Sequence, residues 1–220
     1  MASYSQSHKL WAHYMTQLEL ALNNKSSELM EAVSKKEGVS ISFLKKGIAS
    51  GTIVIPNNKK RRIKRPCAIG KGLSTKINVN IGTSGDEIDI GDELQKLKVS
   101  VSAGADTVMD LSVGGDIPKI RKTLIENSDI PFGTVPIYDA AQSAAKNKGS
   151  LLKMTAEDIL EVIRSQAKDG VDFMTIHSGV TQKTVSLVKT GKRVLDIVSR
   201  GGAILASWMF NNKKENPFYE

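Results

Sequence analysis

Cysteine is nearly absent from this chain, because Cys67 is the only one among 220 residues. A lone cysteine excludes an internal disulfide, and it cannot hold an iron–sulfur cluster, which takes several thiolates. Long apolar runs are missing too, since none approaches the roughly 20 residues of a membrane-spanning helix. No basic and apolar leader opens the sequence. We therefore expect a soluble cytoplasmic protein that does not contact a membrane.

Aromatic residues make up only 5% of the chain, whereas the formal net charge is +8. Much of the positive charge lies in one short run, which contains Lys59, Lys60, Arg61, Arg62, Lys64 and Arg65. No tyrosine or phenylalanine interleaves this run, so it offers no stacking platform for single-stranded nucleic acid. We expect a solvated loop, with an anion contact as one alternative and nucleic-acid binding as another.

The remaining composition, 40% apolar and 25% charged, is that of an ordinary folded protein. Residues 1–14 show no clear hydrophobic period and are interpreted as an extension of uncertain status. Residues 15–75 predict a small α-rich N-terminal domain, with a helix over 16–36 and a second helix that begins at Ser40. The basic run forms the exit loop of this domain.

From residue 76 onwards, short strand-like runs alternate with helical patterns. The predicted strands cover 77–81, 107–111, 133–137, 173–176 and 194–198. Helix-start signals lie between them, at Asp116 with a proline in the following turn and at Thr155 with a capping-box pattern. Repeated strand–helix units indicate an α/β fold with a parallel sheet. An open doubly wound sheet and the first part of a (β/α)8 barrel over 76–220 both fit this pattern.

In either architecture a ligand site lies beyond the carboxyl ends of the strands. The candidate residues there are Asn80, Met109, Tyr138, His177, Ser199, Arg200 and Gly201. Singly, each has a structural explanation, such as a core histidine for His177 or core filler for Met109. The segment 199–201 predicts the start of a helix that carries an arginine, an arrangement that can bind a phosphate. The same residues are also typical of a tight turn between a strand and a helix. Together they suggest a site for a phosphorylated small molecule, with no catalytic residue or metal ligand identified.

The same segments resemble the phosphomethylpyrimidine synthase family. The resemblance is carried by INVNIGTS at 77–84, GADTVMDLS at 104–112, GTVPIY at 133–138, DFMTIH at 172–177, IVSRGG at 197–202 and KENPFYE at 214–220. These strings occur in order and with family-like spacing, from about Met15 to the last residue. Val113 and Ser178 depart from the residues that the family usually has at their positions.

This resemblance implies a radical S-adenosylmethionine carbon–carbon lyase of thiamine biosynthesis. Such enzymes convert aminoimidazole ribonucleotide to hydroxymethylpyrimidine phosphate with a [4Fe–4S] cluster and S-adenosylmethionine. The implied fold is a (β/α)8 barrel preceded by an N-terminal domain, usually as a homodimer. By motif, the substrate contacts fall on the seven residues named above, and the 199–201 segment would hold the ribotide phosphate.

The family's three-cysteine cluster motif, and two histidines that hold a second metal such as zinc, have no counterpart in this sequence. We therefore expect an N-terminal portion of the enzyme that is inactive alone and forms a homodimer or pairs with a missing C-terminal half. The alternatives are a paralogous hydroxybenzimidazole synthase of cobamide biosynthesis and a non-catalytic half that assembles with a separate C-terminal chain.

Overall fold

The computed structural model describes residues 15–192 and 194–219. The predicted extension over 1–14 lies outside the described residues. The described chain begins with three helices, α1 (Gln17–Leu22), α2 (Glu28–Glu37) and α3 (Ile41–Ala49).

The boundary between α1 and α2 corrects the prediction of one helix over 16–36. Asn24 has a left-handed backbone with φ of 55°, a conformation that ends a helix and that asparagine tolerates. The hydroxyl of Ser27 then accepts the N–H of Met30 and caps α2. Short polar residues at this break compete with the helical hydrogen bonds, whereas the predicted start at Ser40 is confirmed as the cap of α3.

Residues 15–75 bury an apolar cluster of their own. Strands β1 (Ile53–Val54) and β2 (Ile69–Gly70) pair antiparallel beside the helices. Leu20, Val33 and Leu44 are buried between these elements. The assignment of 15–75 to a separate domain stays a prediction.

The second part of the chain confirms an α/β fold with a parallel sheet. Its four strands, in spatial as well as chain order, are β3 (Asn78–Ile81), β4 (Thr107–Asp110), β5 (Phe132–Thr134) and β6 (Phe173–Met174). Each neighbouring pair is parallel. The helices that accompany them are α4 (Ile90–Ser102), α5 (Ile117–Glu126), α6 (Pro136–Lys148), α7 (Ala156–Asp169), α8 (Gln182–Thr190) and α9 (Arg200–Asn212).

The predicted helix starts at Asp116 and Thr155 are confirmed. Asp116 accepts the N–H of Lys119 at the start of α5, with proline in the first turn. At α7, Thr155 and Asp158 exchange the two hydrogen bonds of a capping box. These local signals therefore set where two of the helices begin.

Two of the strand predictions are corrected. The run over 133–137 is strand only as far as Thr134, because α6 begins at Pro136, a residue suited to the first helical position. Residues 194–198 form no strand, and Val194 is 98% exposed and Val198 72% exposed. A strand needs a neighbour for its backbone groups, and β6 pairs only with β5 among the described residues. The described residues form four parallel strands of the eight that a (β/α)8 barrel has, so the barrel stays a prediction.

The basic run departs from the expected solvated loop at one position. Arg61 is buried against Asp172, to which its guanidinium donates, and it also reaches the carbonyl oxygen of Ser128 at 2.6 Å. The other five basic side chains of the run are exposed. The run therefore anchors the exit of the N-terminal part to the amino-terminal side of β5 and β6. No helix in the described parts of the chain is long and apolar enough to cross a membrane.

Candidate functional site

A cavity of about 530 Å³ opens beyond the carboxyl ends of β3 and β4. It is lined by Asn80, Ile81, Gly82, Thr83, Ser84, Lys96, Leu111, Val113, Tyr138 and Arg200. Three of the seven predicted site residues, Asn80, Tyr138 and Arg200, therefore meet at one hollow. They come from β3, α6 and α9, which are distant in sequence.

Tyr138 and Arg200 contact each other at this cavity. The guanidinium carbon lies 5.5 Å from the centre of the Tyr138 ring, within the range of a cation–π interaction. Tyr138 belongs to the first turn of α6 and Arg200 to the first residue of α9. The Tyr138 ring therefore stabilises the Arg200 guanidinium at the N-terminus of α9, where the helix dipole is positive.

Asn80 occupies the end of β3 beside Met109 of β4, its partner in the parallel register. The side-chain oxygen of Asn80 accepts a hydrogen bond from the Asn78 side chain at 2.9 Å. That contact uses the oxygen of the Asn80 side chain, whose amide nitrogen is a hydrogen-bond donor. Met109 is half-buried against the α6 and α9 side of the sheet, and its sulfur accepts from the hydroxyl of Thr175 at 3.5 Å.

His177 lies between β6 and α9. Its ring packs on the backbone of Gly201, where a β-carbon would stand 2.5 Å from Nε2. The Nδ1 atom is buried and has no hydrogen-bond partner in the described structure. Burial lowers the pKa of the His177 imidazole from its ordinary value, because the charged form loses hydration. A neutral ring with an unused polar atom is thus held against the start of α9.

Ser199 caps α9, since its hydroxyl accepts the N–H of Gly202 at 3.2 Å. The cap orients the first turn of α9, in which Arg200 is exposed and Gly201 is buried. The loop that carries His177 is fixed from the other side, because the Asn216 amide donates to the carbonyl oxygens of His177 and Val180 at 2.8 Å each. The predicted triplet therefore forms the capped start of α9.

Lys96 was not predicted from the sequence, although it lines the cavity. It projects from α4, and its ammonium lies 2.6 Å from Glu93, whose side chain is buried. A lysine in an amphipathic helix looks like a surface residue, so sequence pattern carries no signal for it. Because the Glu93 carboxylate neutralises Lys96, the positive charge in the cavity lining that favours an anionic ligand is that of Arg200.

The floor between β3 and β4 is closely packed. Gly82 has φ of 145°, and a β-carbon there would stand 2.5 Å from the backbone nitrogen of Ser112. Asp110, directly below, accepts the N–H of Ser112 at 2.9 Å and its hydroxyl at 2.5 Å. Burial raises the pKa of the Asp110 carboxyl, opposed by these hydrogen bonds. Asp110 thus shapes the loop at the cavity and does not face the ligand space.

The residues present do not fit an iron–sulfur cluster. Cys67 is fully buried, and desolvation raises the pKa of its thiol to about 11, so the thiolate is disfavoured. Within residues 15–192 and 194–219, no three His, Cys, Asp or Glu side chains are grouped so that they could hold a metal ion.

Comparison with known proteins matches residues 16–220 to the model of the Radical SAM ThiC family. The chain is 52% identical over 206 residues to the phosphomethylpyrimidine synthase of Dehalococcoides mccartyi, a match that covers 94% of this chain and 48% of that protein. The phosphomethylpyrimidine synthase of Thermodesulfovibrio yellowstonii is 51% identical with the same two coverages. The chain spans about half the length of the curated relatives it matches. Because the family model covers nearly all of it, the chain belongs to the radical SAM ThiC family.

Proposed function

We propose that this chain supplies part of the ribotide-binding site of a phosphomethylpyrimidine synthase. The reaction would convert aminoimidazole ribonucleotide to hydroxymethylpyrimidine phosphate in thiamine biosynthesis. The observation that carries the proposal is the contact between Arg200 and Tyr138, both of which line the cavity. A guanidinium supported by an aromatic ring could bind the phosphate of such a ligand.

The phosphate of the ribotide would bind at the start of α9. Unpaired N–H groups of a first helical turn point at an anion and the helix dipole favours its charge. Arg200 adds a planar group of donors that matches phosphate oxygens. Ser199 holds this turn through its cap hydrogen bond.

The heterocycle and ribose would contact Asn80 and His177. The amide of Asn80 can donate to a ring nitrogen or a ribose hydroxyl, since its oxygen is already engaged by Asn78. Because burial lowers the pKa of His177, its ring is neutral near pH 7, and with Nδ1 buried the ring would contact the ligand through Nε2. Met109 would pack against the flat face of the ring from β4.

The radical-forming groups would be held elsewhere in the enzyme. The single buried cysteine of this chain does not fit a [4Fe–4S] cluster. We propose that the cluster, S-adenosylmethionine and a second metal such as zinc bind in the part of the relatives' length that this chain does not span. The isolated chain would then bind the ribotide without transforming it.

The four parallel strands would be the first part of a (β/α)8 barrel. A homodimer, or pairing with a C-terminal half, would complete the site. No observation favours hydroxybenzimidazole synthesis, and both relatives described above are named phosphomethylpyrimidine synthase. Nucleic-acid binding is not favoured either, because Arg61 of the basic run is buried in an ion pair with Asp172.

A chimera tests the reaction. Residues 15–219 would replace the matching segment of the Dehalococcoides mccartyi synthase in a strain that needs the thiamine pyrimidine. Growth without the pyrimidine supports the proposal, provided that the same chimera with Arg200→Ala fails to support growth. No growth from a chimera that accumulates as folded protein would contradict it.

Calorimetry with the 220-residue chain tests the site directly. Arg200→Ala should weaken binding of aminoimidazole ribonucleotide by at least about tenfold, since a charged hydrogen bond contributes about 1.5–3 kcal/mol. Arg164→Ala is the matched control, because Arg164 is an exposed arginine of α7 that pairs with Glu157. Equal affinities of the two variants would contradict the assignment of Arg200.

A further inference from the structure

A buried arginine lies behind the cavity wall. The Arg121 side chain of α5 is 1% exposed, and it joins two carboxylates. Its Nη1 donates to Asp139 at 2.8 Å, while Nε and Nη2 donate to Asp169 at 3.1 and 2.7 Å. Lys122 approaches the other oxygen of Asp169 at 3.5 Å, so two cations face two carboxylates.

A buried amide extends this group to the sheet. The Gln166 side chain of α7 donates to the same oxygen of Asp139 at 3.2 Å. Its own oxygen accepts the hydroxyl of Thr134, the last residue of β5, at 2.7 Å. Asp139 is therefore held from α5 and α7 at once, and the hold is connected to the end of a sheet strand.

Asp139 follows Tyr138 in the first turn of α6. That helix start lacks the usual support, because Val135 in the cap position makes no side-chain hydrogen bond. The Asp139 carboxylate ties this turn to Arg121 and Gln166. Tyr138, the residue before it, carries the aromatic ring that contacts Arg200.

We propose that Asp139, held by Arg121 and Gln166, is the positioning residue that presents Tyr138 to Arg200. Gln166 also donates to Asp139, and its hydrogen bond with Thr134 connects the first turn of α6 to the end of β5. The importance of this arrangement for ribotide binding rests on the proposed function. The contact between Tyr138 and Arg200 is independent of the proposed function.

If the Arg121 group only stabilised the fold, its loss would affect Tyr138 no more than the loss of another buried ion pair. The pair formed by Arg61 and Asp172 is comparably buried, with 8% and 0% of the side chains exposed. It lies at the amino-terminal side of β5, where Asp172 also accepts the N–H of Phe132 at 2.8 Å. Breaking either pair destabilises the fold, but only the Arg121 group adjoins Tyr138.

Fluorine NMR of the 3-fluorotyrosine-labelled chain separates the two roles. The chain has four tyrosines, and Tyr138→Phe identifies the resonance of Tyr138. Arg200→Ala should shift this resonance, and Asp139→Asn should shift it in the same direction. Asp172→Asn is the matched control and should leave it unchanged.

Three results would each overturn the proposal. The first two are a Tyr138 resonance that does not shift in Arg200→Ala and one that does not shift in a folded Asp139→Asn chain. If Asp139→Asn does not fold, Gln166→Met decides in its stead, because it removes the amide hydrogen bonds and leaves the charges intact. The third result is an equal shift of the Tyr138 resonance in Asp172→Asn, because it would show that the Arg121 group only stabilises the fold.

Calorimetry adds the functional part. Asp139→Asn should weaken binding of aminoimidazole ribonucleotide about tenfold, whereas Asp172→Asn should stay within about twofold of the wild type. Unchanged affinity in Asp139→Asn would overturn the link to the ligand. If the wild-type chain does not bind the ribotide, the proposed function fails, and the fluorine resonance still decides the positioning.

Discussion

The imidazole of His177 lies directly on the backbone of Gly201, without space for a side chain between them. A β-carbon at position 201 would stand 2.5 Å from Nε2 and 2.8 Å from Nδ1 of the ring. Gly201 itself is buried in the first turn of α9. The glycine thus lets the histidine and the proposed phosphate-binding turn occupy adjoining space.

Gly201→Ala should displace either the His177 ring or the start of α9. We expect at least about tenfold weaker ribotide binding, since the added methyl group forces a packed neighbour to move. Gly179→Ala is the control, because a β-carbon at position 179 meets nothing within 4 Å. Calorimetry on both variants checks this, and equal affinity in Gly201→Ala and wild type would contradict it.

His177 should make the folded state less stable towards acid. Its pKa in the folded chain is lowered from 6.5 by burial, so the unfolded chain takes up the proton first. Its contribution to stability is complete above pH 6.5 and is lost as the pH falls from there through the folded pKa. Urea unfolding at intervals from pH 7.5 to 5 should show a steeper loss for the wild type than for His177→Gln. Parallel curves would refute the assignment.

The ion pair between Arg61 and Asp172 should dominate the attachment of the basic run. Arg61→Met leaves the Asp172 carboxylate buried without its cation, which costs about 3–5 kcal/mol of unfolding free energy. Arg164→Met removes an exposed ion pair instead and should lower the unfolding free energy far less. Urea denaturation measures both, and similar losses for the two variants would show that burial does not matter here.

Cys67 should be chemically inert in the folded chain. Its thiol is fully buried, and a pKa of about 11 instead of 9.0 reduces the thiolate at pH 8 roughly 100-fold. Iodoacetamide should therefore label the denatured chain far faster than the native chain, as followed by mass spectrometry. Equal rates would mean that the surroundings of Cys67 open readily.

Local signals in the sequence predicted much of the fold correctly. Ser40, Asp116 and Thr155 mark helix starts because a side chain and the nearby N–H groups suffice to make a cap. The alternation of strands and helices predicted the parallel sheet, because parallel neighbours need a crossover connection such as a helix. The predicted strand over 194–198 failed, since strand residues need a neighbouring strand that no local pattern supplies.

The candidate site shows the same division. The sequence by itself determined which residue types stand at the strand ends and the helix start, and so pointed to Asn80, Tyr138 and Arg200. Only the tertiary structure decided that these three share one cavity, that Lys96 joins them, and that Arg61 is buried. Caps and strand patterns act over a few residues, whereas a cavity and a buried ion pair exist only when distant segments pack together.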